Sequence, residues 1–261
     1  MDAFRTYLPR ESPLALIGIT EKGVLHGTVT ADEGVRARKG REHVRPLDEL
    51  LKCAARLARH PREAALCNAS EQMLRALGAR APFLQRWLVR NPRFSFPLLK
   101  WLWRRRSVMR QFFLSELTVY AVEGRGTPEA PADSAVLRFC QSVIPGQKTS
   151  EYRHRIRKLA RNGDLRVEFT VDSDSSVRSE PKGEAWEALE TAIEIQFERA
   201  VIVPCLSPFV TDGRFYAPLG GRVYRFSPFM VTGDEALHGE CTVTDGTLQT
   251  AVQFFRSMLS V

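Results

Sequence analysis

The chain has 261 residues, of which 44% are hydrophobic and 26% charged, with a formal net charge of +8 and a pI of about 9.5. This composition belongs to a folded protein of one large or two modest domains. It contains no apolar run long enough to span a bilayer and no charged-then-apolar secretory leader. The five cysteines are odd in number and include no Cys-x-x-Cys pair. They point to buried thiols in a reducing, cytoplasmic compartment, and away from a disulfide framework or a cysteine zinc site. The basic balance fits nucleic acid, anionic lipid or an acidic partner, or simply a solvated arginine-rich surface.

Leu14 to Ile19 is a short apolar run. In GVLHGTVTADEG, Val24, His26, Thr28 and Thr30 alternate with Leu25, Gly27 and Val29, which predicts a strand ending in a turn. The basic stretch that follows reads as a loop. Pro46 then opens a helix with Leu47, Leu50, Leu51, Ala54, Ala55 and Ala58 at helical spacing, stopped by Pro61. Glu63 to Arg110 reads as helical throughout. Leu66, Met73, Leu74 and Leu77 form one face, Phe83, Trp87 and Leu88 another, and Pro92 and Pro97 interrupt the pattern. LLKWLWRRRSVMRQFF mixes aromatics with Lys100, Arg104, Arg105 and Arg106. It reads either as a nucleic-acid track with stacking aromatics or as an amphipathic helix with Trp101 and Leu102 buried and the arginines solvated.

LSELTVYAVEG, SAVLRFCQSV and LRVEFTVD predict three further strands. Between the last two lies a helix with Tyr152, Ile156 and Leu159 on one face. The expected architecture is α+β: a four-stranded antiparallel sheet with two helices on one face, in a split β-α-β order. It spans 14–172 and carries a helical insert at about 62–110. DSDSSVRSEPKG is a polar linker. Beyond it, at 180–261, come a helix with Trp186, Leu189, Ile193 and Phe197 in register, the apolar strand AVIVPCL, the strand RVYRFSPF and the closing helix GTLQTAVQFFRSML. This second unit is α/β in character and short of strands, hence an incomplete remnant of a larger sheet.

Four stretches carry a family resemblance: ALIGITEKGVLHGTVT, RNPRFSFPLL, VIPGQKTSEY, and TDGRFYAPLGGRVYRFSPF followed by His238-Gly239 and a last helix ending in QFF. Together they resemble the zinc-dependent dimetal exopeptidases and deacylases of the aminoacylase, carboxypeptidase G and succinyl-diaminopimelate desuccinylase type. The nearest branch is that of carboxypeptidase S and the N-fatty-acyl-amino-acid hydrolases. The resemblance implies that the sheet domain is the family's lid, or dimerisation, domain and that the remnant is the C-terminal part of its catalytic domain. It also implies a two-zinc site holding an activated water with a glutamate base, for hydrolysis of peptides or N-acyl amides.

His238 matches the metal-ligating histidine near the family's C-terminus; a plain loop histidine is the competing reading. Thr211, Asp212 and Arg214 match a turn lining the substrate side, although Asp212-Gly213 is also an ordinary turn pair. The lid arginine that pairs with a substrate carboxylate would fall at Ser142, and Arg138 on the same strand face stands as its substitute. Gly34-Val35-Arg36-Ala37 replaces the lid's Gly-His-Ser-Ser, and Thr127 to Pro131 replaces its Asn-Val-x-Pro. The His-x-Asp pair, the bridging Asp and the Glu-Glu pair have no counterpart, and no catalytic residue is assigned. His26 reads as a sheet histidine; His43, His60 and His154, among arginines, read as solvated. The expectation is a hydrolase-family chain that is inactive alone or one part of a split enzyme, holding zinc unstably by itself. It either pairs as a homodimer through the lid sheet or joins a partner chain supplying the N-terminal catalytic half. The alternatives are a non-enzymatic dimerisation module and, with least support, a basic nucleic-acid or anionic-surface binder using Arg36–Arg45 and Lys100–Arg110.

Overall fold

The computed structural model describes residues 13–32, 45–60, 62–79, 83–102, 110–127, 133–160, 165–229 and 243–259. In chain order the elements are β1 (Leu14–Glu21), β2 (Gly23–Asp32), α1 (Pro46–Ala58), β3 (Glu63–Ala64), α2 (Asn68–Ala79), α3 (Phe83–Arg90), α4 (Pro92–Leu102), β4 (Leu114–Gly124), β5 (Ser134–Val143), α5 (Thr149–Ala160), β6 (Leu165–Ser173), α6 (Glu184–Gln196), β7 (Val201–Ser207), α7 (Gly213–Tyr216) with a 3₁₀ turn (Ala217–Leu219), and α8 (Asp245–Leu259). They fall into two units. One comprises the described residues of Lys22–Ala65 and Leu114–Ser175, the other those of Met1–Glu21, Leu66–Phe113 and Ser176–Val261.

The first unit is an antiparallel sheet in the order β3-β4-β5-β2-β6. Its four long strands are the expected ones. Two-residue β3 adds a short fifth at the edge through Glu63 and Ala64 opposite Ser115 and Leu114. The alternation in β2 works as the period-2 rule requires: Leu25, Val29 and Ala31 are buried, while His26, Thr28 and Thr30 lie at the partly exposed face. Leu50, Cys53 and Leu57 of α1 and Tyr152, Ile156 and Ala160 of α5 cover the buried face with Leu137 and Phe139 of β5. Gly27 sits opposite both Phe139 and Phe169, whose rings meet edge-on at 5.9 Å. A Cβ at Gly27 would approach Glu168 O to 2.5 Å and Phe139 Cζ to 2.6 Å, so the rings close over the glycine only because it lacks a side chain.

The second unit is organised differently from the expected 14–172 and 180–261 division. The apolar run at Leu14 is β1, which pairs in parallel with β7 from Leu14↔Val201 onward. Helix α2 lays Met73, Leu74 and Leu77 against Val201, Val203 and Cys205 of β7. Residues expected as an insert in the sheet domain thus cover the apolar strand β7, which has no polar face to leave in water. The segment expected to be helical throughout from Glu63 holds β3 and three separate helices, and Pro97 is accommodated inside α4. Trp101 is 68% exposed, not buried, because α4 turns Ser95 and Leu99 inward. Leu102 and Arg104–Arg106 contribute no described side chain. The Arg222–Phe229 stretch is extended chain joined to β1 by one antiparallel bridge, Gly18↔Arg225, in place of a full strand. Trp186, Leu189, Ile193 and Phe197 of α6 are buried as their spacing predicts. A run of rings from Phe197 through Phe226 to Phe254 links α6, the extended segment and α8.

Candidate functional site

Strand β1 ends in a charge. Glu21 follows Ile17 and Ile19 into the interior and has a fully buried side chain. An isolated carboxylate there is expensive, so partners must be brought to it. Its Oε2 accepts hydrogen bonds from the Thr211 backbone N–H at 2.9 Å, the Thr211 hydroxyl at 2.8 Å and Arg225 Nε at 3.1 Å. Its Oε1 lies 3.1 Å from Arg214 Nε, an ion pair without the alignment of a hydrogen bond. The two arginine side chains are only 7% and 8% exposed.

The local fold delivers each partner. Arg225 is fixed by its backbone bridge to Gly18, with N···O distances of 2.8 and 2.9 Å. A Cβ at Gly18 would meet Arg225 Cβ and Ser207 Cβ at 3.1 Å each, so glycine is what permits the approach. Thr211 accepts the Gly213 N–H at 3.2 Å on its hydroxyl and so tightens the turn into α7, which carries Arg214. Ser176 closes the cluster: its hydroxyl oxygen accepts the Glu21 N–H at 3.1 Å and an Arg225 Nη2 hydrogen bond at 3.1 Å, and its carbonyl accepts Thr20 Oγ1 at 2.8 Å. The cluster lies at the C-terminal end of the parallel pair β1–β7, the end at which open α/β sheets place their ligands.

Of the residues singled out from the sequence, the fold gathers Thr211 and Arg214 on Glu21. Asp212 stays exposed at the start of α7, where its carbonyl, not its side chain, accepts the Phe215 N–H at 2.9 Å. Arg138 belongs to the sheet unit and faces Glu123 at 3.5 Å. His238 lies outside the described residues, as do His43 and Gly34–Ala37. Glu21, Ser176 and Arg225 escaped sequence reading. The available signal was a glutamate set directly after a buried apolar run, which demands a cationic partner.

This donor set does not suit a divalent cation. One carboxylate shared by two guanidinium groups leaves a local excess of positive charge. Among the described residues, no group of three His, Cys, Asp or Glu side chains is arranged to hold a metal ion. Three of the described thiols are likewise poor nucleophiles. Burial pushes Cys205 up to about 12 and raises Cys53 and Cys140, so the thiolate a nucleophile needs is suppressed. Cys140 meets His26 Nε2 at 3.6 Å within the sheet. A second polar cluster, in the sheet unit, is structural: Tyr152 donates its hydroxyl proton to Glu63 at 2.7 Å and lies 2.9 Å from Gln147 Oε1, and Arg155 pairs with Glu63.

The fold of the chain is similar to that of several solved peptidases. Human carnosine dipeptidase 1 matches with a TM-score of 0.62 at 14% identity over 97% of this chain and 59% of that one. The Saccharomyces cerevisiae dipeptidase Dug1p matches at 0.61 and 13% identity, over 95% and 56%. The M20 family metallo-carboxypeptidase Sso-CP2 of Sulfolobus solfataricus matches at 0.58 and 13% identity, over 94% and 60%. These likenesses show that the chain shares the fold of these solved peptidases. The chain spans 56–60% of the length of these structures. No family model matches the sequence, and no curated protein does. Among the described residues, no helix is long and apolar enough to cross a membrane.

Proposed function

We propose that these 261 residues are the metal-poor portion of a carboxypeptidase- or N-acyl-amino-acid-hydrolase-like enzyme: its lid sheet and the C-terminal part of its catalytic unit. By themselves they do not hydrolyse substrate. The observation that carries this reading is the commitment of Glu21 to Arg214 and Arg225. The buried carboxylate at the sheet's C-terminal end is consumed by cations, and no ligand set for zinc exists among the described residues. The missing donors come from a polypeptide that completes the α/β layer, and His238 adds one more. Two features support such a completing polypeptide. The parallel sheet has only β1 and β7 among the described residues, too few for a self-sufficient parallel layer. Leu248, Val252, Phe255 and Leu259 also leave an exposed apolar stripe along α8. In this reading the Thr211–Arg214 turn of the one unit borders a substrate, and Arg138 of the sheet unit is by itself a candidate for binding a carboxylate.

The test is direct. The purified chain, equilibrated with zinc and then desalted, is assayed for bound metal and for hydrolysis of dipeptides and N-acyl amino acids. The expected result is substoichiometric zinc and no turnover; turnover with metal held by the chain's own side chains would overturn the proposal.

One observation favours a second, compatible reading. Strand β6 ends the sheet order, leaving an edge that a second copy can extend. Light scattering should then report a homodimer, and a strict monomer at high concentration would count against it.

A further inference from the structure

Helix α4 is apolar on both faces. Its inner face is used: Pro92, Ser95 and Leu99 are buried, and Phe96 packs on Phe113 at a centroid distance of 6.3 Å. Its outer face repeats the pattern towards solvent. Phe94 is 86% exposed, Leu98 49% and Trp101 68%, with Pro97 exposed between them. Their spacing of i, i+3, i+4 and i+7 makes one continuous stripe. Trp87, one turn before Asn91 on the preceding helix α3, is exposed as well. A surface helix normally turns charges to water at these positions.

The charge around the stripe is one-sided. From Gln72 to Ser115 the sequence has ten Lys and Arg and no Asp or Glu, more positive charge than the whole chain's net +8. Among the described residues, Arg86, Arg90, Arg93 and Lys100 are exposed on α3 and α4 themselves. Arg93 spends part of its charge on Glu71, at 2.8 Å, and Arg86 donates to Ala79 O. Aromatic and aliphatic side chains projecting from a helix whose own charged residues, Arg93 and Lys100, are both exposed cations match the requirements of a membrane interface. The apolar row enters the boundary between headgroups and acyl chains, while the cations meet the anionic headgroups.

We propose that the outer face of α4, with Trp87, docks this chain on an anionic phospholipid surface, lying on the bilayer without crossing it. Two other occupants fit less well. A nucleic-acid backbone would meet Pro97 and Leu98, which neither stack nor bind phosphate, as the outermost groups. A second copy would bring two acid-free cationic segments face to face. The inference does not depend on the hydrolase reading, since it uses only the exposed faces of α3 and α4 and the charges of the surrounding sequence.

The experiment is co-sedimentation of the full chain with phosphatidylcholine vesicles, with and without phosphatidylglycerol, together with tryptophan fluorescence. Binding should be roughly tenfold tighter or more on the anionic vesicles and should weaken as salt rises. Emission should shift to the blue, and Trp101→Phe should diminish that shift while retaining binding. Phe94→Ser with Trp101→Ser changes only exposed positions and should abolish binding with the circular dichroism spectrum unaltered. Arg90→Glu with Lys100→Glu should erase the preference for phosphatidylglycerol. Failure to bind either vesicle, or binding indifferent to both double substitutions, overturns the proposal. So does self-association that the serine variant abolishes in the absence of vesicle binding. Equal binding of an arbitrary DNA duplex by the wild type and the serine variant, with vesicles ignored, would assign the surface to charge alone and likewise overturn it.

Discussion

Glu21 and Arg225 approach to 3.1 Å inside the protein, with the carboxylate fully buried and the guanidinium nearly so. Arg214 stands at the same distance from the other carboxylate oxygen. Breaking a buried pair by removing one partner costs more than the pair contributes, because the survivor keeps its desolvation penalty. Glu21→Gln strands two cations and is expected to lower unfolding free energy by about 3–5 kcal/mol. Chemical denaturation followed by near-UV circular dichroism checks this. A loss under about 1 kcal/mol would mean that water reaches the cluster.

Gly27 predicts a different kind of failure. The approach of Glu168 O and Phe139 to its Cα leaves no room for a methyl group, and β2 is held between β5 and β6. Gly27→Ala should destabilise the sheet unit by about 1–3 kcal/mol through overpacking, despite alanine's smaller backbone entropy cost. Hydrogen exchange of the β2 amides reads the loss locally. Unchanged protection would show that Phe139 and Phe169 can separate freely.

How much of this was legible in the sequence depends on the range of the contacts. The alternation of Leu25, Val29 and Ala31 and the spacing of Trp186, Leu189, Ile193 and Phe197 are local signals, and the structure follows both. Apolarity alone, however, does not say which strand a strand pairs with. Leu14–Ile19 read as the doorway to the sheet domain because its partner, Val201 onward, lies near the other end of the chain. The ion cluster was half legible. The Thr211–Arg214 turn stood out as a motif, but Glu21 joins Arg225 across 204 positions and Ser176 across 155, and no periodicity records that. Trp101 was misplaced because a helix apolar on both sides gives no signal of which side faces in.

Asp174 caps a helix from outside it. Its Oδ1 accepts the Thr149 N–H at 2.8 Å and the Thr149 hydroxyl at 2.9 Å, at the first turn of α5, where a carboxylate also complements the helix dipole. Because the bond joins the end of β6 to the start of α5, the cap is also a tertiary tie. Asp174→Ala should cost about 0.5–2 kcal/mol and fray the first turn of α5. Amide exchange at Glu151 and Tyr152 measures that fraying, and full protection in the variant would reduce the contact to a surface ornament.

Tyr152 gives the sheet unit an alkaline limit. Burial pushes its hydroxyl up to about 12 from an ordinary value of 10, and the neighbouring Glu63 carboxylate, which accepts its proton in a hydrogen bond, pushes the same way. A group whose folded pKa lies above its unfolded value stabilises fully below the unfolded pKa, and that contribution disappears as pH rises through the folded one. The Tyr152 contribution is therefore intact at pH 9 and below and fades between about pH 10 and 12. Tyr152→Phe removes the titration along with the hydrogen bond to Glu63. Wild type should start more stable at neutral pH, and the gap should narrow steadily across that alkaline window. Denaturant midpoints of both proteins at matched pH test this. A gap that stays constant to pH 12 would show that the hydroxyl ionises no differently when folded.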